Sequence, residues 1–441
     1  MAGCAAPEEP PNIIVIFADD LGYGDVGAYG HPTIRTPHLD QMALEGVRFT
    51  QFYAGASVCT PSRAALLTGR LPVRSGMASD GSRVLFPDSR YGLPASELTL
   101  AEVLREEGYA TAALGKWHLG HRAAYLPTRH GFDVFFGIPY SNDMSPATNP
   151  RWDRAQGFPP LPLMRNEEIA EEEPDQHYLT PRLTAEATAF MEAHQDQPFF
   201  LYLAHPFPHV PLFASPDYAG TSAAGLYGDV IEELDGSVGE ILAAVRRLGL
   251  ERRTLVVFTS DNGPWLTRGV EGGSAGPLRD GKGTTWEGGL RVPAIAWWPG
   301  TIAPGVTTAL ASTLDLLPTA AQLAGATLPD TLVLDGVDLM PLLTGTQDAV
   351  RDTVFYYRGA QLWAVRQGPW KVHFTTQSAY VGDIPVTHDP PLLFHLEHDP
   401  AERLNVAPQH PEVAMRLQQL AAEHRAATPP TPSWLDAVDS P

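Results

Sequence analysis

Two uninterrupted apolar runs in this chain each stop at a pair of oxygen-bearing side chains: NIIVIFADD at residues 12 to 20 and TLVVFTSDNG at residues 254 to 263. Continuous hydrophobicity over so short a length predicts strands covered on both faces, the habit of parallel sheets. Between them, LTLAEVLREEGYATAALGKWHLG (98 to 120) reads as a helix closed at Gly108 and followed by a strand. DQPFFLYLAHPFPHVPLF (196 to 213) reads as a strand that runs into a proline-broken loop, and LYGDVIEELDGSVGEILAAVRRLGL (226 to 250) has the helical period and a terminal glycine. Alternating strands and helices predict an α/β fold, a large mixed, mainly parallel sheet with helices on both faces. Ligands of such sheets sit beyond the carboxyl ends of the strands.

After about residue 345 the pattern changes. TVFYYRGAQLWAVRQGPWKVHF (353 to 374) reads as short aromatic and β-branched strands, hence a small antiparallel sheet. EVAMRLQQLAAEHRAA (412 to 427) reads as an amphipathic helix, with a loose proline-rich tail expected behind it. The acidic stretch EEIAEEEP (167 to 174) is expected to be a solvated loop. The expected organisation is a leader over 1–11, a large α/β domain over 12–345 and a small C-terminal α+β domain over 346–441. The 441 residues suit that division, because single cores stop growing at roughly 250–300 residues.

Composition narrows the chemistry. A net charge of −21 argues against nucleic acid, which needs a basic stripe to displace counterions. The 30 basic residues include only three lysines, Lys116, Lys282 and Lys371, so a retained lysine suggests a need for a compact ammonium; Lys371 reads as a pocket cation or a strand-surface charge. Two cysteines, Cys4 and Cys59, exclude a disulfide framework and multi-thiolate zinc sites. The longest aliphatic runs are too short to span a bilayer, so no transmembrane segment is expected. No N-x-[ST] acceptor occurs. The opening MAGCAAPEEPPN is similar to the end of a bacterial lipoprotein signal with Cys4 as the lipid-bearing residue, which predicts a periplasmic or extracytoplasmic location. A random short leader on a cytoplasmic protein is the alternative.

If both apolar strands lie in one sheet, Asp19, Asp20, Asp261 and Asn262 converge at its carboxyl edge. Oxygen ligands alone fit Ca²⁺ or Mg²⁺ better than Zn²⁺, although either pair by itself reads equally as a turn former. SVCTPSRAALLTGR (57 to 70) sets Cys59 at the head of a predicted helix whose free N–H groups suit an anion. Arg63, four positions on, is aimed back toward residue 59 by one helical turn.

The run CTPSRAALLTGR resembles the signature of the type I sulfatases of the alkaline phosphatase superfamily, in particular their arylsulfatase A branch. The resemblance spans nearly the whole chain through IIVIFADDLGYGDVGAYG, AALGKWHLG, GFDVFFGIPYSND, FTSDNGP, DGKGTTWEGGLRVPAIAWWPG, STLDLLPT and HDPPLLFHLEHDPAER. It implies a sulfuric ester hydrolase in which Cys59 is oxidised to formylglycine by a formylglycine-generating enzyme. Asp19, Asp20, Asp261 and Asn262 match the family's calcium ligands. One hydroxyl of the hydrated aldehyde would attack sulfur and the other would expel sulfate, dividing one hard step into two. Lys116 and Lys282 match lysines that grip the sulfate and the leaving oxygen, and Arg63 would hold the diol. His118 matches the acceptor of a proton from the second hydroxyl, and His209 the group that protonates or polarises the leaving alcohol. Ser141 matches a hydroxyl near the sulfate.

The chain also departs from that pattern. Tyr380 stands at a substrate-pocket position where the relatives carry a histidine, so substrate preference does not carry over. The missing cysteines and glycosylation sites lead to the expectation of a bacterial protein. The expected partner is a small-molecule, glycan or lipid sulfate ester, and a homo-oligomer is compatible. Two other functions fit the same residues: a phosphonate or phosphate ester hydrolase, and a non-catalytic binder of sulfated glycans.

Overall fold

The computed structural model describes residues 10–149, 151, 157–380 and 382–437; Cys4 lies outside them. Eleven strands form the large sheet among the described residues. They are β1 Asn12–Ala18, β2 Val47–Tyr53, β3 Ala110–Lys116, β4 Val134–Ile138, β5 Pro162–Arg165, β6 Glu168–Glu172, β7 Phe199–Ala204, β8 Thr254–Ser260, β9 Arg291–Trp297, β10 Gly305–Thr307 and β11 Ala311–Ser312. Their order is β10-β2-β9-β8-β1-β7-β3-β4-β5-β6, with β11 also on β2. The central run β8-β1-β7-β3-β4 is parallel throughout.

The period of two explains the continuous apolar runs. Along β1, Ile14, Ile16 and Ala18 enter one core while Ile13, Val15 and Phe17 enter the other. The first core is closed by helices Pro37–Glu45, Leu179–Ala193 and Gly225–Arg247, the second by Cys59–Thr68, Leu100–Glu106 and Leu316–Ala324. The α/β fold read from the sequence is therefore present, and no helix is long and apolar enough to cross a membrane among the described residues.

The C-terminal sheet is antiparallel, in the order β12 Thr353–Arg358, β13 Gln361–Gln367, β14 Trp370–Thr376, β15 Val386–His395. Helix Pro411–Ala427 packs Leu417 against Val365, Val372 and Leu393 of this sheet. The fourth strand escapes a sequence reading because it contains Pro390 and Pro391; its edge position is where proline is tolerated.

Three expectations need correction. The acidic stretch is not a loop: Glu168–Glu172 is strand β6, at the rim of the large sheet, where exposed carboxylates discourage pairing with another chain. Nor is the tail loose as far as residue 437. Thr431 N–H donates to Val73 O at 2.9 Å and Trp434 N–H to Gly76 O at 2.8 Å, and Leu435 is buried. Lys371 is neither a pocket cation nor a surface charge. Its ammonium is fully buried between the two sheets, 2.9 Å from Glu287 and 3.0 Å from Glu402. Glu287 also accepts from Tyr53 of β2 and Tyr356 of β12, which makes it the polar joint between the two sheets.

Candidate active site

Parallel pairing of β1 with β8 sets Ala18 beside Ser260, so the next residues of both strands emerge together. Asp20 N–H donates to Asp261 Oδ1 at 3.0 Å, and Asn262 Nδ2 donates to Asp20 Oδ1 at 2.7 Å. Helix Cys59–Thr68 begins at the same place, with Cys59 Sγ 3.5 Å from Asp19 Oδ1. Ligand atoms of Asp19, Asp20, Cys59 and Asp261 all lie within 4.8 Å of one another.

Arg63 is turned into this cluster from below the helix. Its guanidinium donates to Asp261 Oδ2 at 2.9 Å and to Lys116 O at 2.8 Å, with Asp19 at 3.5 Å. The one-turn spacing thus delivers Arg63 to the carboxylates and ties them to the end of β3. Lys116, the last residue of β3, places Nζ 2.5 Å from Asp19 Oδ2 and 3.1 Å from Ser141 Oγ. Lys282 arrives on the loop before β9 and pairs with Asp20 at 2.8 Å.

Two histidines complete the ring. His118 Nε2 lies 2.9 Å from Leu85 O, an atom that only accepts, so the ring proton is on Nε2. Its Nδ1 is buried and has no hydrogen-bond partner among the described residues. By the same argument His209 donates from Nδ1 to Val210 O at 2.6 Å, leaving Nε2 3.7 Å from Asp20. Asp20 and His118 both adopt positive φ, 67° and 59°, a conformation side chains avoid unless the surroundings impose it.

Electrostatics follow from burial. Desolvation opposes charge on Asp19, but Lys116 and Arg63 hold its carboxyl well below the usual range. Burial and the neighbouring Asp19 charge push Asp261 up to about 7 despite Arg63, and burial raises Asp20 even against Lys282. Burial, with Lys116 beside His118 and Lys282 beside His209, keeps both imidazoles far below their ordinary pKa, hence neutral. Burial also pushes the Cys59 thiol up, so the unmodified sulfur is no thiolate nucleophile.

The donor set fits a hard metal cation. Three buried carboxylates crowd one point, and Asn262 Oδ1 is buried there without a hydrogen-bond partner. A cavity of about 460 Å³ opens over the cluster, reached by Cys59, His118, Ser141, His209, Lys282 and Tyr380. The structure therefore gathers every site residue singled out in the sequence. Sequence reading did not find Trp265, Arg83 and Arg268, which also line the cavity. Trp265 had a signal, three residues beyond Asn262 in DNGPW; Arg83 lies in a loop and Arg268 in the short 3-10 helix Leu266–Glu271, neither with a periodic pattern.

Residues 11–326 match the family model described as sulfatase, and residues 349–441 match the one described as the C-terminal region of aryl-sulfatase. Arylsulfatase A of Bos taurus is 49% identical over 478 residues, covering 100% of this chain and 93% of that protein. Arylsulfatase A of Homo sapiens is 49% identical, covering 95% of this chain and 89% of that protein. Among solved structures, the PsFucS1 sulfatase from Pseudoalteromonas sp. superposes with a TM-score of 0.88 at 31% identity, covering 96% of this chain and 92% of that one. These curated relatives are animal proteins, which fits poorly with the bacterial source expected from the missing cysteines.

Proposed function

Because the chain belongs to the sulfatase family, we propose that it hydrolyses sulfate monoesters by the arylsulfatase route, with formylglycine made from Cys59 and with Ca²⁺, or else Mg²⁺, held by Asp19, Asp20, Asp261 and Asn262. The observation that carries this reading is the packing of Cys59 among three buried carboxylates, between Lys116 and Lys282, beneath one cavity. When bound, the ion supplies Lewis acidity toward a sulfate oxygen and toward the hydroxyl at position 59. The hydrated aldehyde supplies two hydroxyls on one carbon, one as nucleophile and one as the later source of a proton.

The chain's own groups do the rest. Arg63 offsets Asp19 and Asp261 and fixes their orientation. Lys116, steadied by Asp19 and Ser141, grips a sulfate oxygen. His118 offers the unpartnered Nδ1 lone pair as acceptor for the second hydroxyl's proton. Lys282 and His209 face the leaving oxygen. Lys282 carries its charge there, while His209 gains a proton only when the anionic ester adds negative charge beside it.

The test is peptide mass analysis of the segment containing residue 59, on protein made with and without a formylglycine-generating enzyme, alongside turnover of 4-nitrophenyl sulfate. Activity should follow the aldehyde fraction. Equal activity in fully thiol protein would refute the nucleophile, and a higher kcat/KM for a phenylphosphonate monoester would make this a phosphonate hydrolase instead.

A further inference from the structure

Several arginines of this chain meet carboxylates: Arg35 meets Glu232, Arg70 meets Glu97, Arg74 meets Asp335 and Arg351 meets Asp315. Two on the cavity wall do not. Arg268 packs on the ring of Trp265, with its guanidinium carbon 4.0 Å from the ring centroid and no carboxylate partner among the described residues. Arg83 lies 4.6 Å over the ring of Tyr380 and donates to that residue's carbonyl oxygen, with no carboxylate partner among the described residues.

The two rings they cover meet each other. Trp265 and Tyr380 have centroids 5.3 Å apart at 84°, an edge-to-face contact that makes an aromatic corner. Lys282 Nζ lies 4.5 Å from the Trp265 centroid and 5.7 Å from that of Tyr380, and the His209 ring lies 5.4 Å from Trp265. The corner therefore stands beside the pair of residues that face the leaving oxygen. A planar ring carried by the leaving alcohol fits such a corner.

We propose that this mouth is a receptor for a substrate whose leaving alcohol carries a second anionic group on its ring, the ring set against the Trp265–Tyr380 corner and the anion held by Arg268 and Arg83. The inference rests on the sulfatase reading and names the substrate class of that site. A guanidinium stacked on an aromatic face keeps its N–H edge in one plane, ready for the paired oxygens of a carboxylate or sulfate. Charge on the wall points the same way. Arg83 and Arg268 share that wall with one carboxylate, Asp143, among the described lining residues, in a protein whose net charge is −21. Behind Arg83, Arg358 is half-buried, its Nε enclosed without a hydrogen-bond partner among the described residues, and desolvation together with the Arg83 charge holds its pKa down to about 10. An anion bound beside Arg83 would offset that repulsion between the two guanidiniums.

The experiment compares 3-carboxyphenyl sulfate, 3-sulfophenyl sulfate and the neutral 3-carbamoylphenyl sulfate with aldehyde-bearing enzyme, in the wild type and in Arg268→Gln and Arg83→Gln. The wild type should prefer an anionic ester over the carbamoyl ester by about tenfold in kcat/KM, the worth of one charge-assisted hydrogen bond, and the preference should shrink with added salt. The carboxylate and sulfonate arms tell which oxyanion the mouth favours. Each arginine variant should lose most of that preference; the ratio is taken within each variant, so a general loss of active protein cancels. Equal kcat/KM for charged and neutral esters, or a preference untouched in both variants, overturns the inference alone. Hydrolysis of none of the three esters overturns the sulfatase reading and this inference with it.

Discussion

Lys282 is enclosed by groups that leave its ammonium little freedom: Asp20 at 2.8 Å and the faces of Trp265 and Tyr380. The Tyr380 ring closes over it because the next residue is Gly283, with φ at 76°; a Cβ there would stand 2.0 Å from Tyr380 Cδ2. If Lys282 meets the charge that develops on the leaving oxygen, Lys282→Ala should lower kcat by roughly 10²–10³-fold. The loss should be steeper for esters of weakly acidic phenols than for 4-nitrophenyl sulfate. A loss independent of the leaving group would instead place Lys282 on the sulfate oxygens. At this scale the metal-type ligands were legible in the chain, because Asp19, Asp20, Asp261 and Asn262 each directly follow an apolar strand. Arg83 was not, since its meaning depends on Tyr380, which approaches it from 297 residues away.

Lys371 shows how an element can be read correctly and its side chain wrongly. The aromatic and β-branched run ending in PWKVHF reads as short strands, and β14 is one of them, with Val372 in the core beneath helix Pro411–Ala427 and Lys371 and His373 on the other face. That face is covered by Thr285, Glu287 and Glu402, contributed by distant segments that leave no mark on the local pattern. Lys371→Met would leave Glu287 and Glu402 buried without their shared counter-charge, so stability should fall by about 3–5 kcal/mol. Urea unfolding should show a lower midpoint at an unchanged slope. A fall below about 1 kcal/mol would mean that Arg291 and Arg366, also near Glu287, suffice for the joint.

Across the whole molecule, stability responds to pH through histidines sealed in the core outside the cavity. His130 is fully buried against Trp117, neither ring nitrogen has a partner, and burial pushes its pKa down to about 4. The folded chain resists a proton that the unfolded chain accepts near 6.5, so this contribution is complete above pH 6.5 and is lost as pH falls toward 4. The stability of His130→Phe relative to the wild type should therefore improve between pH 7.5 and 4.5, by up to about 3 kcal/mol. An unchanged difference would show that the imidazole reaches solvent. The two-faced parallel sheet was legible at this scale, whereas the anchorage of the tail was not, because Thr431 and Trp434 find Val73 and Gly76 only once the chain is assembled. Position 59 is 2% exposed and opens a helix buried from end to end, while residues 431–435, which close over the next helical turn, leave the ribosome long after it. Oxidation of Cys59 under the proposed maturation is thus a race against folding: a chain that closes early keeps its thiol for good, and slower closure raises the yield of working enzyme.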